Sequence, residues 1–177
     1  GRLGWLAGRI LVDLGADVIK VERPGIDRDD ADWRAFNIGK RLLTLDVTEA
    51  AGQEAILAAL PRIDILIETA TPGGPEAAWL DPERLAGLNL ELIHVSVTPY
   101  GREGPRAGWR ASDLEIMAAG GAMSIVGEPD GTPLRISVPQ SYAWAGAHAA
   151  AGALVALTHR TGGAGGQHVD VSAQVSI

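Results

Sequence analysis

Asp13-Leu14-Gly15-Ala16-Asp17-Val18-Ile19-Lys20-Val21-Glu22 is the stretch that decides the fold. Upstream of it, Leu3 to Leu14 is apolar at helical spacing, and Gly15 stands where a helix-ending glycine belongs. Val18 to Glu22 then reads as a strand, closed by Arg23-Pro24-Gly25. The same alternation continues downstream. Asp27 to Arg34, polar and mixed in charge, reads as a loop, and Leu42 to Leu45 as a second strand. Thr48 is placed to cap a helix over Glu49 to Leu60, and Ile63 to Glu68 reads as a third strand. Asp81 and Pro82 suit the N-cap and first position of a short helix before a fourth strand, Leu92 to Val97. Strands that are continuously apolar and alternate with helices predict a parallel sheet covered by helices on both faces. Ligands of such sheets sit outside the carboxyl ends of the strands, here the loops beginning at Arg23, Asp46, Thr69 and Thr98.

The later half is less regular. Pro99 to Pro105 is a turn-rich loop, and Ser112 can cap a helix running to Ala119, stopped by Gly120-Gly121. Gly127 to Gly131 reads as a hairpin turn. A long small-residue helix, Gln140 to His159, leads through the glycine-rich turn at 161–166 into a last strand, His168 to Ser172. The chain begins within a helix and stops soon after a buried strand, which predicts a segment cut from something longer. No linker divides it, so 1–177 reads as one domain.

Composition narrows the function. A formal net charge of −7 argues against a general nucleic-acid binder. The absence of cysteine excludes a disulfide scaffold, a Cys-ligated zinc site and a thiol nucleophile, and fits a reducing cytoplasm. The most apolar segment, Tyr142 to Leu157, is rich in Ala and Gly and carries His148, so it reads as a buried helix and not a membrane span. Neither a G-x-G-x-x-G turn, a P-loop nor a G-x-S-x-G elbow is present. His94, His148, His159 and His168 have no metal-ligand spacing and read as packing or surface histidines. Arg23, Arg28, Arg34, Lys40 and Arg41 cluster after the first strand. Two readings stay open: a phosphate-binding group, or a solvated surface interleaved with Asp27, Asp29, Asp30 and Asp32.

Several motifs follow one another in order. They are the opening stretch with Pro24-Gly25, then Asn37-Ile38-Gly39-Lys40-Arg41 with Leu43-Thr44-Leu45-Asp46, and Ile67-Glu68 with Pro72-Gly73. Gly120-Gly121, Gly127-Glu128-Pro129-Asp130-Gly131 and Gly166-Gln167-His168-Val169-Asp170-Val171-Ser172 complete the series. Together they resemble the family III CoA-transferases, a group that includes formyl-CoA transferase, carnitine and bile-acid CoA-transferases and α-methylacyl-CoA racemase. The resemblance covers essentially the whole chain. It implies an open Rossmann-like α/β fold, with this chain as an incomplete large, CoA-binding domain lacking the first strand and the small domain. It also implies acyl-CoA and carboxylate substrates, no covalently bound cofactor, a cytoplasmic enzyme and an interlocked dimer. A segment cut from such a dimer is expected to fold poorly alone.

The resemblance also assigns positions. Arg23 matches the arginine beside the CoA nucleotide, and Leu45, Asp46, Val47 and Thr48 match the lining of the adenine end. Thr69, Ala70 and Thr71 match the loop under the pantetheine arm, where the family usually shows Asn-Phe. Arg110 matches a basic position near the CoA phosphates. The family nucleophile is an aspartate three residues after the serine of Val-Asp-Val-Ser, which forms acyl-aspartyl anhydrides and an aspartyl-CoA thioester. That position is Val175 here. Strand alternation sets Asp170 on the face of Ser172, buried in the sheet, which makes it a poor substitute. Ser112 stands where a racemase needs its histidine, which disfavours racemisation. Two functions are therefore weighed. One is a transferase half whose aspartate comes from a heterodimer partner or a fused copy. The other is a non-catalytic CoA- or acyl-CoA-binding protein.

Overall fold

A computed structural model describes residues 1–177. A 3-10 turn, Arg2–Gly4, leads into α1 (Trp5–Asp13), followed by β1 (Ile19–Glu22), α2 (Ala31–Asn37), β2 (Arg41–Thr44) and α3 (Ala50–Ala59). Then come β3 (Ile65–Glu68), α4 (Pro82–Leu88), β4 (Ile93–Thr98), α5 (Asp113–Ala119), α6 (Ser141–His159), β5 (Gln167–Ser172) and α7 (Ala173–Ser176). Gly15 ends α1 as expected, at φ +97°. Its N–H donates to the Val12 carbonyl at 2.8 Å and that of Ala16 to Leu11 at 3.0 Å, the paired bonds of a Schellman motif. Asp81 and Ser112 cap α4 and α5, and Ser112 forms a full capping box with Glu115.

Every strand pair is parallel, which bears out the α/β reading with helices flanking parallel strands. The strands do not form one sheet, however. β1 pairs only with β2, and β3-β4-β5 make a separate sheet with β4 at its centre. β4 is buried along its whole length, whereas β2 is exposed along its own. An apolar run identifies a strand but not how it is covered. The helix after β2 supplies the difference. α3 and the 3-10 turn that follows it (Leu60–Arg62) direct Ile56, Leu57 and Leu60 toward Leu66, Leu85 and Leu92, so α3 packs beside β3 and leaves Leu42 and Leu43 in solvent.

The main core lies between the larger sheet and α6. Ile93, Val95 and Val97 of β4 and Val171 of β5 face Ala145, Ala149, Ala153 and Ala156, which recur every three or four residues along one side of α6. Small side chains let the backbones come close. A Cβ at Gly146 would lie 2.8 Å from Leu6 Cβ and 3.2 Å from the Ala7 nitrogen, so α1 is seated directly on α6.

Three local expectations are corrected. The second half of the stretch read as a loop is α2, started by the Asp30 side chain accepting the Asp32 N–H at 3.0 Å. The N-cap of α3 is Glu49 and not Thr48, because Thr48 is held by the Asp46 carboxylate instead. Glu128 and Gly131 do close a turn, but no strands flank it.

Gly146→Val is expected to cost about 1–3 kcal/mol through overpacking against Leu6 and Ala7. It should lower the denaturant midpoint at unchanged slope. Gly162→Ala, where an added Cβ meets nothing within 4 Å, should stay within about 0.5 kcal/mol.

Candidate functional site at the strand ends

The segments that follow the carboxyl ends of the strands hold the candidate residues. Beyond β1, Arg23 is exposed, and its charge acts on the Asp46 carboxylate at the end of β2. Asp46 accepts from the Thr48 hydroxyl at 2.6 Å and the Thr48 N–H at 2.9 Å. These bonds, the hydroxyl's first, with a smaller contribution from Arg23, hold its carboxyl below the usual carboxylate range. The Leu45 N–H donates to the Glu22 carbonyl at 2.8 Å, and Val47 packs on the α3–α4 core. A Cβ at Gly52 would sit 1.9 Å from the Asp46 carbonyl oxygen, so only glycine lets α3 start against this turn. Leu45 to Thr48 is thus one preformed turn beside Arg23.

Beyond β3, Ala70 is buried between the half-buried Thr69 and Thr71, and the Thr71 carbonyl accepts from Gly74 N–H at 2.8 Å. A Cβ at Gly108 would lie 3.4 Å from the Pro72 carbonyl, so the segment carrying exposed Arg110 passes over this loop. Thr69, Ala70 and Thr71 form a second group, with Arg110 two residues beyond the Gly108–Pro72 approach. A third lies beyond β5, where Val175 is 83% exposed on α7. It lines an open groove of about 410 Å³ with His148, Asp170, Val171, Ser172 and Ser176. Asp170 shares the face of Ser172 as expected, but it is exposed and not buried. β5 is an edge strand, which leaves that carboxylate open to solvent, accepting the Arg102 N–H at 2.8 Å.

The basic cluster divides. Arg28 bonds Glu22 at 3.2 Å, Arg41 bonds Asp17 at 2.7 Å, and Arg34 pairs with Asp29. Lys40 turns inward to the Trp5 carbonyl at 2.7 Å and the Asn37 side chain at 2.8 Å. Of the five, Arg23 is the cation with neither an ion-pair nor a hydrogen-bond partner.

Two buried glutamates escaped the sequence reading. Glu22 ends β1 and receives Trp33 Nε1–H at 2.6 Å, Arg28, and the Lys20 ammonium, which lies 4.9 Å and 5.0 Å from the Trp5 and Trp33 ring centres. Glu68 ends β3 and accepts the Ala70 N–H, with His94 Nε2 and Arg102 Nη1 each at 3.5 Å. Burial works to raise the Glu68 carboxyl. The neighbouring His94 and Ser96 side chains and the Ala70 N–H outweigh it and leave the group below its ordinary range. Burial first, with the positive charge of the neighbouring Arg102, lowers His168. The sequence signal was one acidic residue closing each of two apolar strands, where solvent exposure is the usual expectation.

Comparison with known proteins adds the following. The sequence profile described as CoA-transferase family III matches residues 2–176. A succinate–glutarate CoA-transferase of Agrobacterium fabrum is 33% identical over 96% of this chain and 47% of that protein. The BbsE subunit of succinyl-CoA:(R)-benzylsuccinate CoA-transferase from Thauera aromatica is 35% identical over 97% of this chain and 46% of its own length. A crystal structure of a CAIB/BAIF family protein from Brucella suis superposes with a TM-score of 0.89 at 34% identity, covering 98% of this chain and 50% of that one. The chain spans about half the length of the curated relatives it matches.

Lys20 and Lys40 are both lowered to about 8, first by burial and then by neighbouring cations. Between about pH 8 and 10.5 the unfolded chain therefore binds more protons than the folded one, so stability rises with pH across that window. Denaturant titrations from pH 7.5 to 10.5 should show this rise, and Lys40→Met should flatten it.

Proposed function

The chain belongs to CoA-transferase family III, and from that premise we propose that it is the large, CoA-binding domain of a transferase that moves CoA from an acyl-CoA to a carboxylate. In this reading it takes CoA as substrate, holds no covalent cofactor and works in the cytoplasm. Arg23 and the Leu45–Thr48 turn receive the nucleotide end, and an unpaired arginine beside a preformed turn suits a phosphate-bearing ligand. The Thr69–Thr71 loop takes the pantetheine arm, and Arg110, on the segment crossing that loop, adds charge for the phosphates.

The observation that carries the reading's distinctive part is Val175. It stands in an open groove at the end of β5 with a hydrocarbon side chain, where attack on a thioester carbonyl needs a carboxylate. The nucleophilic aspartate then comes from elsewhere: a partner subunit interlocked with this chain, or a fused second copy. That the Thauera relative is named as a subunit of its transferase supports the heteromeric form. The second reading, a CoA-binding protein without catalysis, is favoured by the same valine, and the two part on whether a partner restores turnover.

Calorimetric titration with CoA should give saturable binding, weakened about 10- to 100-fold by Arg23→Ala, the ~1.5–3 kcal/mol of a charge-assisted hydrogen bond. Incubation with succinyl-CoA should leave the chain's intact mass unchanged, whereas Val175→Asp should permit a covalent CoA adduct. No CoA binding by the unaltered protein overturns the CoA reading. Transfer catalysed by the unaltered chain alone overturns the missing-nucleophile reading.

A further inference from the structure

On the three strands of the larger sheet, Glu68, Ser96 and Asp170 stand in register, and so do Leu66, His94 and His168. All of these but Leu66 are polar. The face they share with Thr98 and Ser172 is thus a polar strip on a sheet whose opposite face is the apolar core. Glu68 is the most constrained member. Its side chain is 6% exposed, and its partners come from three places. One oxygen accepts the Ala70 N–H, and the other faces His94 Nε2 of β4 and the guanidinium of Arg102, from the loop after β4. Arg102 is itself fixed, through its backbone N–H, to Asp170 of β5 at 2.8 Å.

Hydrogen placement follows from what is unpartnered. His94 Nδ1 is buried with no partner. A bare lone pair there is cheaper than an unpaired N–H, so the proton is assigned to Nε2, where it faces Glu68. The Ser96 hydroxyl lies 2.9 Å from His168 Nε2, and the two imidazoles lie 4.8 Å apart. The network thus runs from the Thr69–Thr71 loop through Glu68 to β4, β5 and the loop after β4.

We infer that Glu68 is a positioning residue: its buried carboxylate fixes the backbone of the Thr69–Thr71 loop to the Arg102 loop and so sets the surface on which the pantetheine arm lies. This rests on the CoA reading above. A carboxylate removed from water is costly unless donors replace the water, and here the donors belong to the loops that need fixing. A leucine of similar size would pack in the same space but could not hold Ala70 N–H or Arg102.

The test compares Glu68→Leu and Glu68→Gln by amide hydrogen exchange without ligand and by CoA titration. Glu68→Leu should speed exchange at Ala70 about tenfold or more and weaken CoA binding about tenfold, the effect of losing one hydrogen bond to a charged group. Glu68→Gln keeps an acceptor for Ala70 and should restore much of the protection. Should Glu68→Leu fail to fold, Arg102→Met removes the other end of the clamp and should likewise raise exchange across 69–74. Unchanged exchange at Ala70 in a folded variant overturns the inference. Faster exchange with CoA affinity intact also overturns it. If the unaltered protein binds no CoA, the CoA reading fails, while the exchange data still judge the clamp.

Discussion

Two carboxylates taken out of water, Glu22 at the end of β1 and Glu68 at the end of β3, constrain the whole strand-end surface. Each lies against cationic and N–H donors, each is nearly sealed from solvent, and each is tolerable only with those donors in place. Those donors are not on the strands' own neighbours alone. Glu22 draws on α2 through Trp33 and on the following loop through Arg28, while Glu68 draws on Ala70 and Arg102. Loops that would otherwise move independently are thereby tied to the sheet ends. A surface fixed before its ligand arrives loses less entropy on binding, which suits a long, flexible ligand such as CoA.

Beneath that surface the support is apolar and close-fitting. The alanine side of α6 lies on β4 and β5, and Gly146 admits α1 to nearly backbone contact. α6 also carries His148 into the groove at Val175, so one helix is both the floor of the core and a wall of the groove. The smaller β1–β2 pair has no such floor. Leu42 and Leu43 stand in solvent, and that pair is held to the rest through α1, α2 and the Glu22 group.

The elements were largely legible, because parallel strands and their helices leave periodic signals that do not depend on distant contacts. Gly15, Asp81, Ser112 and Gly120 mark helix ends by local chemistry alone, and the structure agrees at each. Grouping of the strands was not legible, since pairing depends on contacts far apart in sequence. α2 was hidden by the charge of its first turn, although Asp30 ahead of Ala31-Asp32-Trp33 was a usable cap signal. For the site, motif positions located Leu45–Thr48 and Thr69–Thr71 on strand-end loops, where the fold puts them. Nothing local announced Glu22 and Glu68 as buried, because their donors lie up to 34 residues away. Asp170 failed for a related reason: alternation gives the face of a side chain but not whether that face is covered.

The proposed function joins these parts on the premise of membership of CoA-transferase family III: a preorganised strand-end surface to hold CoA, and a groove at Val175 to receive the reactive end without supplying the nucleophile. A structure of the protein with CoA bound tests this most directly. The account predicts the nucleotide at Arg23 and the Leu45–Thr48 turn, the pantetheine arm along Thr69–Thr71, and the thiol directed toward Val175. CoA bound away from the strand ends, or with its thiol directed away from the groove at Val175, contradicts it.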